Sequence, residues 1–464
     1  MVRPSRRQAA LALCLAGAAA SLLAPAWGCS KSAPTVQPVA PVVIGVSLGL
    51  SGSLSSFSAP LQNATKVAEL QVNAVGGLFG RPISFSIKDD SSDEGKTVQA
   101  VAQSFLDEGA VALLGPLGSS QVVAVRDLAA QHHVIVLSSS ATSTELTGPV
   151  GDTDRYFFRT TPADDLQGQV VAIFAARGPA GIGGSTTDGG VTAPACARMV
   201  IVYIDNSYGK AMTAVVKRYL PDHGGTVVDT IAVPAKAQST YQTEISRMMK
   251  LHPDCQALIA YDDTGVQYLS DLKAAREASP TDLPSSFFVI GTDGLYTSGF
   301  LVNGRIDKTD AGAGTIVEGT YGTNPDTNPA TRQEYKEFKN LYLSQFALEP
   351  GQDDLAPYTA NQYDAAMLIV LAMHQAWGGA TTGDPVKLRD ALYDVSKGGN
   401  KYGPAELDQA ILAINRGEDI DYKGASGEVD LQENGNVKSD YIVWKVVNGK
   451  FVTIGRVHDT ELAQ

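Results

Sequence analysis

Residues 115–147, GPLGSSQVVAVRDLAAQHHVIVLSSSATSTELT, decide the fold. Ahead of them an apolar run, residues 111–114, stops at Gly115. A short apolar run bounded by glycine fits a strand buried on both faces, as in a parallel sheet. The turn from Gly115 to Ser120 then opens a helical pattern, with Val122, Val123, Val125, Leu128 and Ala129 on one stripe. A second apolar run, residues 134–137, ends in Ser138, Ser139, Ser140, Ala141 and Thr142. Two successive strands therefore finish in hydroxyl-rich turns at one sheet edge, and open α/β sheets bind ligands outside the carboxyl ends of their strands. The first turn also brings amide N–H groups to a helix N-terminus, which favours an anion. Hydroxyls and amides without Lys or Arg suit a carboxylate better than a phosphate. The plainer alternative is that Ser119 or Ser120 caps the helix.

The same alternation extends both ways. Upstream, residues 42–50 read as a strand, 60–75 as a helix stopped by Gly76 and Gly77, 83–89 as a strand and 97–107 as an amphipathic helix. Residues 156–162 read as a β-rich connection between lobes. A second series follows: helix 164–177, strand 198–204, helix 210–220, strand 227–233, helix 241–251, strand 256–261, helix 265–278 and strand 287–290. Strand-helix repetition with short polar loops predicts parallel sheets with helices on both faces. Residues 178–194, dense in Gly, Ser, Thr and Pro, lack apolar periodicity and read as a surface insertion. Three helical segments, 329–347, 358–377 and 385–396, come next. Residues 427–431, the Asn434–Gly435 turn and 441–447 look hairpin-like, and Asn448–Gly449 turns the chain into 451–454.

The 464 residues suffice for two such lobes with full cores. The net charge is −13, and a leader carrying off Arg3, Arg6 and Arg7 would leave three fewer positive charges, −16. That balance argues against nucleic acid and against adsorption to anionic lipid. The N-terminus has the form of an export signal, with those arginines ahead of an apolar run over residues 9–23. Ala24–Pro25–Ala26 fits small-residue cleavage, while Ala26–Trp27–Gly28–Cys29 resembles a lipobox, and the second is preferred: Cys29 would carry lipid, with a tether behind it. Of the other cysteines Cys14 leaves with the leader. Cys196 and Cys255 each sit just before a strand, and first and third strands of a doubly wound lobe are neighbours. A Cys196–Cys255 disulfide is therefore predicted, in an oxidising compartment.

One family carries these motifs in this order. Ile44–Gly45–Val46, Ser51–Gly52, Asn73 to Gly77, Gly80–Arg81–Pro82, Gly115–Pro116, Ser140–Ala141–Thr142, Phe158 to Pro162, Tyr208–Gly209 and Ala360 to Ala365 resemble the type I periplasmic binding proteins, in their leucine/isoleucine/valine-binding branch. The resemblance spans residues 42–455. It implies two doubly wound lobes joined by three crossings that close on a ligand, with residues 42–161 and 325–438 in lobe 1, 162–324 and 439–464 in lobe 2, a leader over 1–28 and a tether over 29–41. It implies a periplasmic receptor, monomeric, anchored only through lipid on Cys29, that takes an amino acid or analogue to the permease of an ABC importer. No cofactor and no metal is implied. Carried over residue by residue, Ser119, Ser140 and Thr142 would hold the ligand's carboxylate and, through a carbonyl, its ammonium. Phe57, Tyr208 and Tyr261 would form walls, and Asp293 would pair with the ammonium. Asp262 and Asp263 beside Tyr261 point to a ligand with a polar side chain.

Catalysis finds little support. No Gly-x-Ser-x-Gly elbow and no phosphate loop is present, and the six histidines lack the usual metal spacings. The alternative to transport is a sensor lipoprotein for amino acids, amides or aromatic carboxylates that acts through a partner. The lack of a spanning or signalling segment between Ile454 and Gln464 favours transport.

Overall fold

Seven residues in an almost unbroken apolar run, Val42–Leu48, form strand β1, with only Val43 not fully buried. A strand buried on both faces has no polar side to alternate with, which is why it reads as a run. The computed structural model describes residues 39–148, 155–178, 196–307, 314–349, 352–380 and 382–462. The leader, Cys29 and most of the 178–197 insertion lie outside the described residues.

From β1 the chain runs through α1 (Ser55–Ala74), β2 (Ile83–Asp89), α2 (Lys96–Asp107), β3 (Ala112–Leu114), α3 (Ser119–Gln131), β4 (Ile135–Ser138) and β5 (Phe157–Arg159). These strands pair in parallel in the order β2-β1-β3-β4-β5. The second lobe follows with α4 (Asp164–Arg177), β6 (Arg198–Ile204), α5 (Ser207–Tyr219), β7 (Thr226–Val233), α6 (Gln242–Met249), β8 (Cys255–Ile259), α7 (Asp262–Ala278), β9 (Phe288–Gly291), α8 (Ser298–Asn303) and β10 (Tyr321–Pro325). The chain then returns. Helices α9 (Gln333–Leu343), α10 (Thr359–Trp377) and α11 (Pro385–Ser396) precede β11 (Asn400–Tyr402), α12 (Leu407–Asn415) and β12 (Ile420–Tyr422). Helix α10 packs against α1, β3 and β4, with Gln362 Nε2 donating to Thr65 Oγ1 at 3.0 Å. Finally β13 (Tyr441–Val447) and β14 (Lys450–Val457) join the second sheet, ordered β14-β13-β10-β9-β8-β6-β7. The chain thus passes between the sheets three times.

Both sheets share one wiring. Strands β2-β1-β3-β4 and β7-β6-β8-β9 each begin in the middle, step outward once and then cross to the other side. Connections diverge between β1 and β3 and between β6 and β8, and a crevice opens at such a switch point. Gly115 makes the first crevice possible. Its φ is +90°, and a Cβ there would lie 2.3 Å from the Ser47 carbonyl oxygen of β1. Side chains rarely adopt that backbone conformation, and the contact leaves no room for one.

The structure differs from the sequence reading in identifiable places. Helix α1 starts at Ser55 and carries Pro60 in its second turn, past the first-turn positions where a missing N–H costs nothing; the helix forms there despite that local preference, with Phe57, Leu61 and Ala64 buried around it. Strand β10, which the sequence reading does not assign, contains the poor strand formers Gly322, Asn324 and Pro325; pairing with β9 and β13 on either side overrides their preferences. The C-terminal hairpin is β13–β14, turning at Asn448–Gly449, while residues 427–431 make only the isolated Lys423–Glu428 bridge. Neither Ser119 nor Ser120 caps α3: its N-cap is Gly118, held by Gln121 Oε1 at 2.7 Å.

Cys196 and Cys255 are joined, with S–S 1.96 Å and Cα–Cα 5.6 Å. Cys255 pairs with Met199 in the parallel β6–β8 register, so the bridge ties the starts of neighbouring strands.

Candidate functional site

The loops that leave the two switch points face each other, and a narrow cavity lies between them. From the first lobe Phe57 comes after β1, Ser119 after β3, and Ser140 and Thr142 after β4. From the second come Tyr208 after β6, Tyr261 after β8 and Asp293 after β9. All seven line this one cavity, with Leu54, Leu117, Gly118, Gly294 and Tyr358.

The hydroxyl end is braced by its own backbone. Ser140 Oγ donates to the Leu117 carbonyl at 2.9 Å, and Ser138 Oγ donates to that of Pro116 at 2.6 Å. Ser119 Oγ accepts the Ser143 amide at 3.2 Å, which uses a lone pair and leaves its hydrogen for a ligand oxygen. The two strand-end turns are therefore locked together before any ligand arrives.

The opposite end is acidic. Asp293 opens a short 3-10 turn, and Gly294 lets that turn approach β8, for a Cβ there would lie 2.4 Å from the Ala260 carbonyl oxygen. The Asp293 carboxylate accepts from Tyr208 at 2.6 Å and from Tyr358 at 2.7 Å. The Tyr208 oxygen also lies 2.6 Å from Thr292 Oγ1. With the tyrosine hydrogen on Asp293, Thr292 is the donor of that second bond. Burial raises the Asp293 pKa, and the two tyrosine hydrogen bonds work against that rise. Burial, then the charge of Asp293, push Tyr208 and Tyr358 well above the usual tyrosine value, so both remain donors. Beyond the two tyrosines, the Gln167 side chain and a backbone amide also favour the charged carboxylate. A carboxylate lining the cavity suits a ligand ammonium.

Sequence reasoning missed two contributors. Tyr358 sits just before α10 at φ +63°, a left-handed conformation that costs a non-glycine residue about 1–2 kcal/mol. Such strain persists where surrounding structure enforces it. Asp164, the first residue of α4, is fully buried, and neither carboxylate oxygen has a hydrogen-bond partner of good geometry. Burial and then the charge of Asp293 hold its pKa well above the usual range, while the Thr142 hydroxyl favours its charged form. Two carboxylates thus lie within electrostatic reach of each other at the cleft. Nothing local in the sequence marks either residue: Asp164 stands just after the first crossing between lobes, and Tyr358 comes with the return of the chain to the first lobe, between α9 and α10.

Asp262 and Asp263 do not line the cavity. Asp262 packs against Gly299, so tightly that a Cβ there would lie 2.0 Å from its Oδ2. Asp263 accepts from Ser53 at 3.0 Å across the rim. The walls beside the cavity are apolar and aromatic, with Tyr208 and Tyr261 stacked at 5.8 Å. Further rim contacts join the lobes: Asn206 Nδ2 donates to Glu94 at 2.8 Å, and the Ser207 amide to Ser120 Oγ at 3.0 Å. Among the described residues no cluster suited to a metal ion occurs, and no helix is long and apolar enough to cross a membrane.

Comparison with known proteins agrees with this fold. The model of a family described as "Periplasmic binding protein" matches residues 41–450. A chemotactic signal transduction system substrate-binding protein, BasB of Halobacterium salinarum, is 26% identical over 427 residues, covering 89% of each chain. The leucine-binding protein LivK of Thermotoga maritima superposes with a TM-score of 0.69 at 19% identity, over 91% of this chain and all, 100%, of its own. A solute-binding protein of R. palustris in complex with benzoate superposes with a TM-score of 0.63 at 18% identity, over 90% of this chain and 96% of its own.

Proposed function

The chain belongs to the periplasmic binding protein family, and from that premise we propose that it is an extracytoplasmic receptor that captures an α-amino acid between its lobes and delivers it to an ABC importer. The observation that carries this is the pairing of ends. Hydroxyls on the first lobe suit a carboxylate, while Asp293, with Asp164 behind it, suits an ammonium. A zwitterion satisfies both at once. The apolar walls formed by Leu54, Phe57, Leu117 and Tyr261 favour an aliphatic or aromatic side chain. Asp262 and Asp263 stand outside the lining and no longer argue for a cationic one.

Binding works through closure. Ser119 and Thr142 stand on one lobe, Asp293 and Tyr208 on the other. A solute that touches both stabilises the closed form by its differential contacts with the two states. The permease then meets a closed receptor. No covalent step is needed, so the protein is not an enzyme in this scheme. Retention in the periplasm by lipid on Cys29 completes it.

Titration calorimetry on protein unfolded and refolded to strip ligand tests the proposal. The twenty amino acids and benzoate form the panel. An aliphatic or aromatic amino acid is expected to bind, and Asp293→Asn to weaken it about 10- to 100-fold, the worth of a hydrogen bond to a charged group. Benzoate binding with no amino acid hit, or unchanged amino-acid affinity in Asp293→Asn, would sink the ammonium assignment.

One observation favours a second role for the same site. Similarity to BasB, a chemotactic substrate-binding protein, extends over 89% of each chain. The occupied receptor would then report to a signalling partner. Deletion of the gene separates the two: loss of amino-acid uptake indicates transport, and loss of a tactic response with uptake intact indicates sensing.

A further inference from the structure

Arg159 ends β5 with no exposed surface at all, and its side chain is spent on the turn that carries Thr142. Nη1 donates to the carbonyls of Ala141 at 3.1 Å and Ser143 at 3.0 Å, the two residues flanking Thr142. Nη2 donates to Thr147 Oγ1 at 2.6 Å, and Nε to Asn436 Oδ1 at 2.8 Å. Asn436 belongs to another crossing between lobes, bridged to the first at Pro162–Val437. The Arg159 amide bonds that same crossing, at the Gly435 carbonyl, 3.2 Å.

We propose that Arg159 is a positioning residue for ligand binding, one that clamps onto the crossings the turn around Thr142, whose carbonyl accepts the Asp164 amide at 2.8 Å, and so holds a fixed positive charge on the same turn as Asp164. This rests on the ammonium site at Asp164 and Asp293 described above. A guanidinium suits the task because its planar fork directs several donors at once and stays charged when buried. Burial lowers its pKa only to about 10, so it remains a cation at neutral pH. Asp164 and Asp165 face it with opposite charge, Tyr441 favours its charged form and Arg155 opposes it. Asp164 in turn is faced by Arg159, Asp165 and Asp293. Arg159 is the cation among these that favours the ionised form of Asp164. Removing it leaves two carboxylates raising each other's pKa with less to oppose them.

Two variants separate the clamp from the charge. Arg159→Gln keeps donors and loses charge; Arg159→Lys keeps charge and loses the fork. The probe is L-leucine, titrated between pH 4.5 and 9. Wild-type affinity is expected to fall as pH drops and the cleft carboxylates take up protons. In Arg159→Gln the midpoint of that fall should move up by about 1 unit or more, the usual reach of a neighbouring charge. Arg159→Lys should bind more weakly at every pH with its midpoint within about half a unit of wild type. A merely structural role would weaken both variants without moving the midpoint, and that result overturns the proposal.

A readout without ligand keeps the test independent of the amino-acid reading. In the ligand-free protein, amide hydrogen exchange at residues 141–147 should speed about tenfold or more in Arg159→Lys, with β1 and β6 unchanged. The 13C signal of the Asp164 carboxyl should titrate at higher pH in Arg159→Gln. If wild type binds no amino acid, the proposed function fails while these two measurements still decide the role of Arg159. Unchanged exchange and an unchanged Asp164 titration would refute it. Should Arg159→Gln not fold, Arg159→Lys decides: faster exchange in the turn with an unmoved pH midpoint supports the proposal, and any other result overturns it.

Discussion

Tyr358 and Asp293 lie 65 residues apart and on opposite lobes, yet the tyrosine hydroxyl donates to Asp293 Oδ2 at 2.7 Å. The bond crosses the cleft. It therefore exists only when the lobes are together, and it prepares the carboxylate that the proposed ligand would meet. Tyr358→Phe removes the donor and keeps the ring. Because hydrogen bonds to charged groups contribute about 1.5–3 kcal/mol, affinity for the bound amino acid should fall about 10- to 100-fold by calorimetry. An unchanged affinity would mean that Tyr358 only walls the cavity.

Asp262 gives a stability prediction with a definite sign. Burial, then Asp263, raise its pKa from 3.8 to about 6 in the fold. Between those values the folded chain keeps a proton that the unfolded chain has lost. Stability therefore falls as pH rises through that window, and the penalty is fully present above it. Asp262→Asn should melt higher than wild type at pH 7.5, by about 1–3 kcal/mol, and close to wild type at pH 4. Thermal denaturation at the two pH values checks this; equal differences at both would contradict it.

The Cys196–Cys255 bridge closes a loop with a separation of 59 residues. Loop-closure entropy for such a length corresponds to about 4 kcal/mol, and measured values run at about 2–4 kcal/mol. A Cys196→Ser, Cys255→Ser double variant should unfold at lower denaturant by that amount, with amino-acid affinity within about twofold of wild type, because the bridge ties strand starts and the cavity lies at strand ends. A large loss of affinity at full folding would show the two ends to be coupled.

Gly115→Ala tests the switch-point contact. A methyl group would meet the Ser47 carbonyl oxygen at 2.3 Å on a residue with φ +90°. Stability should drop by more than about 1 kcal/mol, the usual cost where the native conformation is incompatible with a side chain. Binding should weaken as well, since Leu117 to Ser119 follow directly. Chemical denaturation alongside calorimetry measures both.

Local signals in the chain were enough for most of the fold. Apolar runs such as residues 111–114 and stripes such as Val122, Val125 and Ala129 depend on spacing alone, and spacing is what a sequence displays. Elements stabilised from both sides escaped it: β10 is a strand because β9 and β13 flank it, against the preferences of Gly322, Asn324 and Pro325.

The same division runs through the site. Ser119, Ser140, Thr142, Tyr208, Tyr261 and Asp293 follow strand ends, and parallel wiring places every such end at one edge, so their meeting around one cavity was implicit in the order of strands and helices. The sequence by itself determined which strand ends meet at the cleft and which residue types stand there. Only the tertiary structure decided that Tyr358 reaches Asp293, that Asp164 lies buried beside it with Arg159 bonded to the same Thr142 turn, and that Asp262 turns to Gly299 instead of the ligand space. Those relations depend on how separate elements and the two lobes pack, as with Tyr358 and Asp293, 65 residues apart. They are set by packing and by the loss of water from charged groups, neither of which leaves a mark at the level of neighbouring residues.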